Sequence, residues 1–237
     1  MLFIIFEKNS LFIVKQFAII VAGGSGERMQ GEVPKQFLEI NGTPLLMISM
    51  EAFYRFNPKI DIIVALPENQ IRFWQQLCQK HSFSIKHEIV PGGKTRYHSV
   101  KNALKKIDSE GIVAIHDGVR PLVSQQTIQN VFKIAEEKGN GVPYIDLVDS
   151  IRYVTNKENK PADRASFKLI QTPQVFDSKI ILHAYEQPFE PSFTDDASVA
   201  EKNGQKINLV AGNRENIKIT TQVDLMVANA LWNHLSE

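Results

Sequence analysis

Three glycines and two fixed cations follow a single apolar run. The chain reads Phe17-Ala18-Ile19-Ile20-Val21-Ala22-Gly23-Gly24-Ser25-Gly26-Glu27-Arg28-Met29, and then Pro34-Lys35-Gln36-Phe37. Glycine lets backbone N–H groups close around phosphate oxygens, and Arg28 and Lys35 add the full charge that amides lack. The segment reads as a polyphosphate-handling loop after the first strand of an α/β sheet. A Walker loop is excluded, because no Lys-Ser or Lys-Thr follows these glycines. The dinucleotide fingerprint fits only in part: Met29 stands where a third small residue belongs, and Pro34 opposes an immediate crossover helix.

Further chemistry-bearing residues recur along the chain. Asp117 and Arg120 follow the apolar run Ile112–His116, and Lys218 sits in the β-like stretch Asn216–Thr220. Gly92-Gly93-Lys94-Thr95-Arg96 precedes a helical pattern and offers backbone amides, with Ser99 as a cap. Ligands of open α/β sheets bind beyond the carboxyl ends of the strands, so one crevice could collect all of these groups. His116 has no nucleophile beside it in sequence and reads as structural. As a lone Asp after a strand, Asp117 suits a loop-capping role as well as a ligand-binding one.

The elements that must position them alternate. Apolar runs at Phe17–Ala22, Asp61–Leu66, Ile112–His116 and Gly141–Ile145 have the composition of strands covered on both faces. Between them, Thr43 can cap a helix with Pro44 at its first position, running through Tyr54. Val100, Ala103, Leu104 and Ile107 keep helical spacing, as do Ile128, Val131, Phe132 and Ala135. Thr194 can cap a helix whose first turn holds Asp195 and Asp196, a structural use of those carboxylates. Thr221-Gln222-Val223-Asp224 makes a capping box for a terminal helix. The pattern implies a doubly wound, mostly parallel α/β sheet. One excursion breaks it: 146–175 is polar, with β-prone flanks Ile151–Val154 and Phe167–Ile170, and predicts a hairpin projecting from the sheet.

Composition sets the remaining bounds. Lys and Arg total 27 against 26 acidic residues, so no global charge draws the chain to nucleic acid or membrane, and any anion site must be local. Cys78 is the one cysteine, which excludes an intrachain disulfide framework and a cysteine-rich zinc site and fits a reducing, cytoplasmic compartment. It falls in a helical pattern, at a packed position. Residues 1–16 are an apolar extension broken by Glu7, Lys8 and Asn9, too short between charges for a membrane span and without a cleavage site. The extension reads as an extra edge strand or as a start assigned too far upstream, with residues 17–237 forming a single domain.

The motifs resemble the sugar-phosphate nucleotidylyltransferases, and among them the 2-C-methyl-D-erythritol 4-phosphate cytidylyltransferase family. The likeness rests on the glycine loop with Pro34-Lys35-Gln36-Phe37, then Gly92-Gly93-Lys94-Thr95-Arg96-Tyr97-His98-Ser99-Val100 and His116-Asp117-Gly118-Val119-Arg120-Pro121. It continues through Asp149-Ser150-Ile151-Arg152, Gln171-Thr172-Pro173-Gln174-Val175-Phe176, Thr194-Asp195-Asp196-Ala197-Ser198 and Asn216-Ile217-Lys218-Ile219-Thr220, in order from about residue 17 to the end.

The resemblance implies a Rossmann-like nucleotidyltransferase fold whose β-arm, about 146–175, reaches a second subunit of a homodimer. It implies CMP transfer from CTP to the sugar phosphate, with Mg²⁺ or a similar cation held mainly by nucleotide phosphates. Arg28 and Lys35 are then the catalytic cations. Ala22, Gly23, Gly24, Gly26, Gly93, Arg96, Ser99 and Asp117 bind CTP. Arg120, Ser150, Thr172, Lys218 and the partner-supplied Arg164 bind the sugar phosphate. Two departures stand out. The family often carries an acidic residue where Lys94 stands, which leaves a backbone role there, and Ser150 replaces the more usual Thr while keeping the hydroxyl.

Three rival readings have their own sequence requirements. A ribitol 5-phosphate cytidylyltransferase shares the glycine loop, the Asp-x-x-Arg-Pro motif and the Asn-Ile-Lys-Ile-Thr ending, but the Asp149 and Asp163-Arg164 segments look less like it. A nicotinamide oxidoreductase would need an acidic group closing a second strand about twenty residues on, which neither Glu39 nor Glu51 clearly supplies. A non-catalytic nucleotide-binding subunit would have no use for Arg28, Lys35, Asp117 and Lys218 together.

Overall fold

The computed structural model describes residues 14–23 and 33–235. Strands β1 (Lys15–Val21), β4 (Asp61–Leu66), β5 (Glu88–Pro91) and β6 (Gly111–Asp117) run parallel in the order β6-β1-β4-β5. Beyond β6, strand β11 (Gln174–Asp177) is antiparallel to it and to β7 (Asn140–Asp146), and β12 (Leu209–Ala211) lies parallel to β7. The four strands read from apolar runs are all present. β1 begins at Lys15, so the sheet reaches two residues into the segment read as an extension, and residues 1–13 lie outside the described residues.

The period of two explains why these runs need cover on both faces. Ala18, Ile20, Ile62, Val64, Leu66, Ile112 and Ala114 enter one core, packed with residues of helices α1 (Leu45–Phe56) and α4 (Gln125–Lys138). Their neighbours Phe17, Ile19, Ile63, Ala65, Val113 and Ile115 enter a second core with residues of α3 (Arg96–Leu104), α5 (Ser178–Ala184) and α6 (Asp196–Lys202). Helices on both faces make the sheet doubly wound. The remaining helices are α2 (Ile71–Lys80), which buries Trp74 and half-buries Cys78, and the terminal α7 (Gln222–Leu235). Burial pushes the Cys78 thiol up to about 11, as expected of a packed position.

Local chemistry corrects several boundaries. Thr43 and Pro44 form a two-residue strand, β3, against β2 (Glu39–Ile40), and α1 begins at Leu45 without a side-chain cap. Asp195, not Thr194, caps α6: its carboxylate accepts from Ser198 N–H while Ser198 Oγ accepts from Asp195 N–H, a reciprocal box. Asn216–Thr220 has no strand pairing and is irregular. The α7 box stands as read, with Thr221 N–H donating to Asp224 and Asp224 N–H to Thr221 Oγ1.

The excursion is a hairpin, but of different strands. β8 (Ile151–Val154) pairs with β9 (Asn159–Ala162), closed by Thr155 N–H to Glu158 O at 2.8 Å, while β10 (Lys168–Ile170) returns to β7. The flank at Phe167–Ile170 therefore belongs to the main sheet.

Candidate active site

The cleft opens at the carboxyl ends of β1 and β6, which are hydrogen-bonded neighbours. Beyond β1, Ala22 N–H still bonds Ala65 O at 3.0 Å, so the chain leaves the sheet only at Gly23. Gly24, Gly26 and Arg28 lie outside the described residues. The chain re-enters at Pro34, and a single 3₁₀ turn, Lys35–Phe37, sets Lys35 on the cleft. Its neighbours hold that turn. Phe37 is buried against Phe73 and Trp74, at 5.2 and 6.0 Å between ring centres, and buried Gln36 donates to Gln70.

The opposite wall is the turn Gly93–Thr95 before α3. Thr95 is the cap of that helix, accepting from His98 N–H; Ser99 instead ties the loop from inside, accepting from Gly93 N–H at 3.0 Å and donating to Thr95 O at 3.2 Å. A side chain at Gly93 would collide with His98 Cβ and approach its carbonyl carbon to 2.9 Å, so only glycine allows this close turn. Ala22, Gly23, Lys35, Gly93, Arg96, Asp117 and Lys218 thus border one cleft of about 360 Å³, together with Lys94.

An adjoining cleft of about 290 Å³ shares Arg96, Asp117 and Lys218 and adds Arg120, Thr172 and Asp195. Asp117 is the wall between the two. Its carboxylate is buried, yet it faces Lys218 Nζ at 2.9 Å, Arg96 Nε at 3.1 Å and Arg120 Nε at 3.5 Å. Burial pushes its carboxyl pKa up, but Arg96, Lys218 and Arg120 outweigh that and hold it far below the usual carboxylate range. Asp117 is therefore an anion at any working pH. Lys218 reaches it because Ile219 is buried with its N–H on Val119 O, and because Arg120 donates to Asn216 O at 2.8 Å. Backbone bonds to neighbouring segments place this irregular strip where a strand was expected.

His116 is structural, as expected. Its neutral ring completes a directed chain: Asp117 N–H to Thr172 Oγ1 at 3.0 Å, Thr172 O–H to His116 Nδ1 at 3.1 Å, and His116 Nε2–H to Arg120 O at 3.0 Å. Thr172 is thereby a support of Asp117 as well as a wall of the second cleft. Ser150 and Arg164 border neither cleft. Both are exposed on the excursion, where Arg164 donates to Val148 O. Sequence reasoning missed Gln36 and Thr95 as walls of the first cleft and Gln174 as a wall of the second, and it gave Asp196 chiefly a structural place in the first turn of a helix. Thr95 had a legible signal, a capping hydroxyl ahead of the helical spacing.

Burial drives His116 down to about 4. The unfolded chain, with an ordinary histidine near 6.5, then binds a proton that the fold refuses. Stability should be full above that value and fall as pH drops toward 4, by about 3 kcal/mol from this group. Urea unfolding of wild type and His116→Gln across that window checks it: the variant should show a flatter slope, and equal slopes would refute the assignment.

The comparisons agree on one family. The family model IspD: 2-C-methyl-D-erythritol 4-phosphate cytidylyltransferase matches residues 16–234. The 2-C-methyl-D-erythritol 4-phosphate cytidylyltransferase of Bacteroides fragilis is 54% identical over 214 residues, covering 90% of this chain and 98% of that protein. The enzyme of that name from Bacteroides thetaiotaomicron is 47% identical over 92% of this chain and 100% of its own length. Among solved structures, 4-diphosphocytidyl-2C-methyl-D-erythritol synthase of Anaerococcus prevotii superposes with a TM-score of 0.78 at 28% identity, over 93% of this chain and 99% of that one. The 2-C-methyl-D-erythritol 4-phosphate cytidylyltransferase of Thermus thermophilus gives 0.76 at 27% identity, over 93% and 100%. With the family model spanning nearly the whole chain and the fold shared throughout, this protein belongs to the IspD, 2-C-methyl-D-erythritol 4-phosphate cytidylyltransferase, family.

Proposed function

We propose that the chain transfers CMP from CTP to 2-C-methyl-D-erythritol 4-phosphate, giving 4-diphosphocytidyl-2-C-methyl-D-erythritol and pyrophosphate. The observation that carries this reading is the meeting of Arg96, Arg120 and Lys218 around Asp117 where two clefts adjoin, with Lys35 lining the first of them. The names of the relatives favour this acceptor over ribitol 5-phosphate.

In this reading CTP occupies the first cleft, its base and ribose against the Gly93–Ser99 turn and its phosphates toward Gly23, the glycine loop and Lys35. The sugar phosphate lies in the second, toward Arg120, Thr172 and Lys218. A phosphate oxygen of the sugar attacks the α-phosphorus of CTP. The new P–O bond forms as the bond to the β-phosphate oxygen breaks, and that electron pair leaves with pyrophosphate. A phosphate monoester already attacks well, so the protein's work is to hold two anions in line and stabilise the added charge. Lys35 and Arg28 do the latter. Lys218 exchanges Asp117 for phosphate oxygens.

Asp117, the carboxylate separating the clefts, is engaged by three cations and is a poor ligand for a dication. That suits Mg²⁺ carried on the phosphates, where it would neutralise and orient the triphosphate. The chain from Lys15 onward acts as one domain, and no helix among the described residues is long and apolar enough to cross a membrane. CTP consumption suits a cytoplasmic protein.

The hairpin supports the dimer. Tyr153, Val154 and Phe167 are about half exposed or more on and beside a two-stranded ribbon, which is marginal alone. A second copy would cover it and receive Arg164.

Pyrophosphate release from CTP should require 2-C-methyl-D-erythritol 4-phosphate; release with ribitol 5-phosphate alone would overturn the reading. Lys35→Ala and Arg28→Ala should each lose on the order of 10²–10³ in kcat while folded. Near-normal turnover in either would remove its catalytic role. Mixing Lys35→Ala with Arg164→Ala subunits should restore activity neither has alone, since one hybrid site regains both residues. Absence of restoration after subunit exchange would argue that Arg164 serves its own chain or none.

A further inference from the structure

Arg96 borders both clefts and is gripped from behind. Asp196, fully buried at the start of α6, accepts from both terminal nitrogens of Arg96, at 2.8 Å to Oδ1 and 2.7 Å to Oδ2. Oδ1 also accepts from Tyr185 O–H at 2.7 Å. The remaining nitrogen, Nε, donates to Asp117 Oδ1 at 3.1 Å. One guanidinium is thus clamped between two carboxylates, with one N–H left on each terminal nitrogen for a ligand.

This arrangement asks more of Asp196 than capping, which belongs to Asp195. A carboxylate without exposed surface is held there only if its partners compensate lost hydration. Arg96 and Tyr185 do so. The ring of Tyr185 stacks on Tyr97 at 4.8 Å, next to Arg96 in α3, so the clamp is anchored in the second core. The clamp also fixes the charge balance at the clefts. With its far edge committed to Asp196, Arg96 meets Asp117 through Nε alone. Asp117 therefore retains a place for Lys218.

We infer that Asp196 is a positioning residue for nucleotidyl transfer: it fixes the Arg96 guanidinium between the two clefts, with Tyr185 orienting its carboxylate. The inference rests on reading the first cleft as the CTP site. It would make α6 part of the nucleotide-binding apparatus, although only its cap, Asp195, and not the helix itself lines either cleft.

The test uses the full-length protein and follows CTP binding by calorimetry, which needs no acceptor, beside thermal unfolding. Asp196→Asn keeps size and removes charge. CTP affinity should fall about tenfold or more, with a folded protein at assay temperature. A role confined to stability would leave the affinity of the folded variant unchanged. Because the effect runs through Arg96, adding Asp196→Asn to Arg96→Ala should change affinity by less than about twofold. Free guanidinium should partly restore CTP binding to Arg96→Ala and not to the double variant. Wild-type affinity in Asp196→Asn, or full additivity with Arg96→Ala, overturns the proposal. Should Asp196→Asn fail to fold, Tyr185→Phe replaces it, with about threefold weaker binding that vanishes in the Arg96→Ala background; no change, or additivity, again overturns it. If CTP binds and depends on Asp196 through Arg96 but no sugar phosphate releases pyrophosphate, the reaction reading falls and the positioning role stands. If wild type does not bind CTP, both fall.

Discussion

The architecture of the site depends on one buried carboxylate. Asp117 draws Arg96, Arg120 and Lys218 to within 3.5 Å of a single side chain. Those cations come from the start of a helix, the turn after a strand and an irregular strip near the end of the chain. Like charges this close repel unless an anion sits among them, and the repulsion grows as water is excluded. The protein thus stores a concentrated positive field at the point where two phosphate-bearing ligands would have to meet. Lys218, with 41% of its side chain exposed, is the member of the set best able to move toward phosphate oxygens.

The sheet makes that field possible by adjacency. β1 and β6 are neighbours in register from Lys15 with Gly111 to Val21 with Asp117, so the chain leaving β1 starts beside the carboxylate that ends β6. Alternate residues of both strands are locked into separate cores, which fixes the strand ends. The walls are then built by close approach, Gly93 against His98 on one side and the Phe37 anchor beneath Lys35 on the other. Beneath Asp117, the hydrogen-bond chain through Thr172 and neutral His116 holds the backbone to which it is attached.

Much of this was legible in the chain because it rests on local pattern. Doubly covered strands advertise themselves as unbroken apolar runs, and Lys35, Asp117 and Arg120 follow strands that such runs locate; Thr172 is reached only through the family resemblance, and the β-like stretch holding Lys218 is irregular. Helix starts were less legible. Where several short polar residues adjoin, as at Thr194-Asp195 or Thr95 with Ser99, any of them can cap, and backbone geometry chooses. Thr43-Pro44 was read as a helix start, but its pairing with Glu39–Ile40 wins. The excursion was misjudged because the turn at Thr155–Glu158 closes β8 on β9 locally, before β10 can compete. The grip of Asp196 on Arg96 had no sequence signal, since a contact across 100 residues leaves none in one chain.

A structure of the protein with CTP and a non-reacting analogue of the sugar phosphate would test the account most directly. It should place the triphosphate along the Gly23–Lys35 side, the monoester toward Arg120 and Thr172, and Lys218 Nζ on a phosphate oxygen, with Arg96 still bridging Asp117 and Asp196. Nucleotide bound away from this cleft, or Lys218 unmoved from Asp117 with both ligands in place, would contradict it.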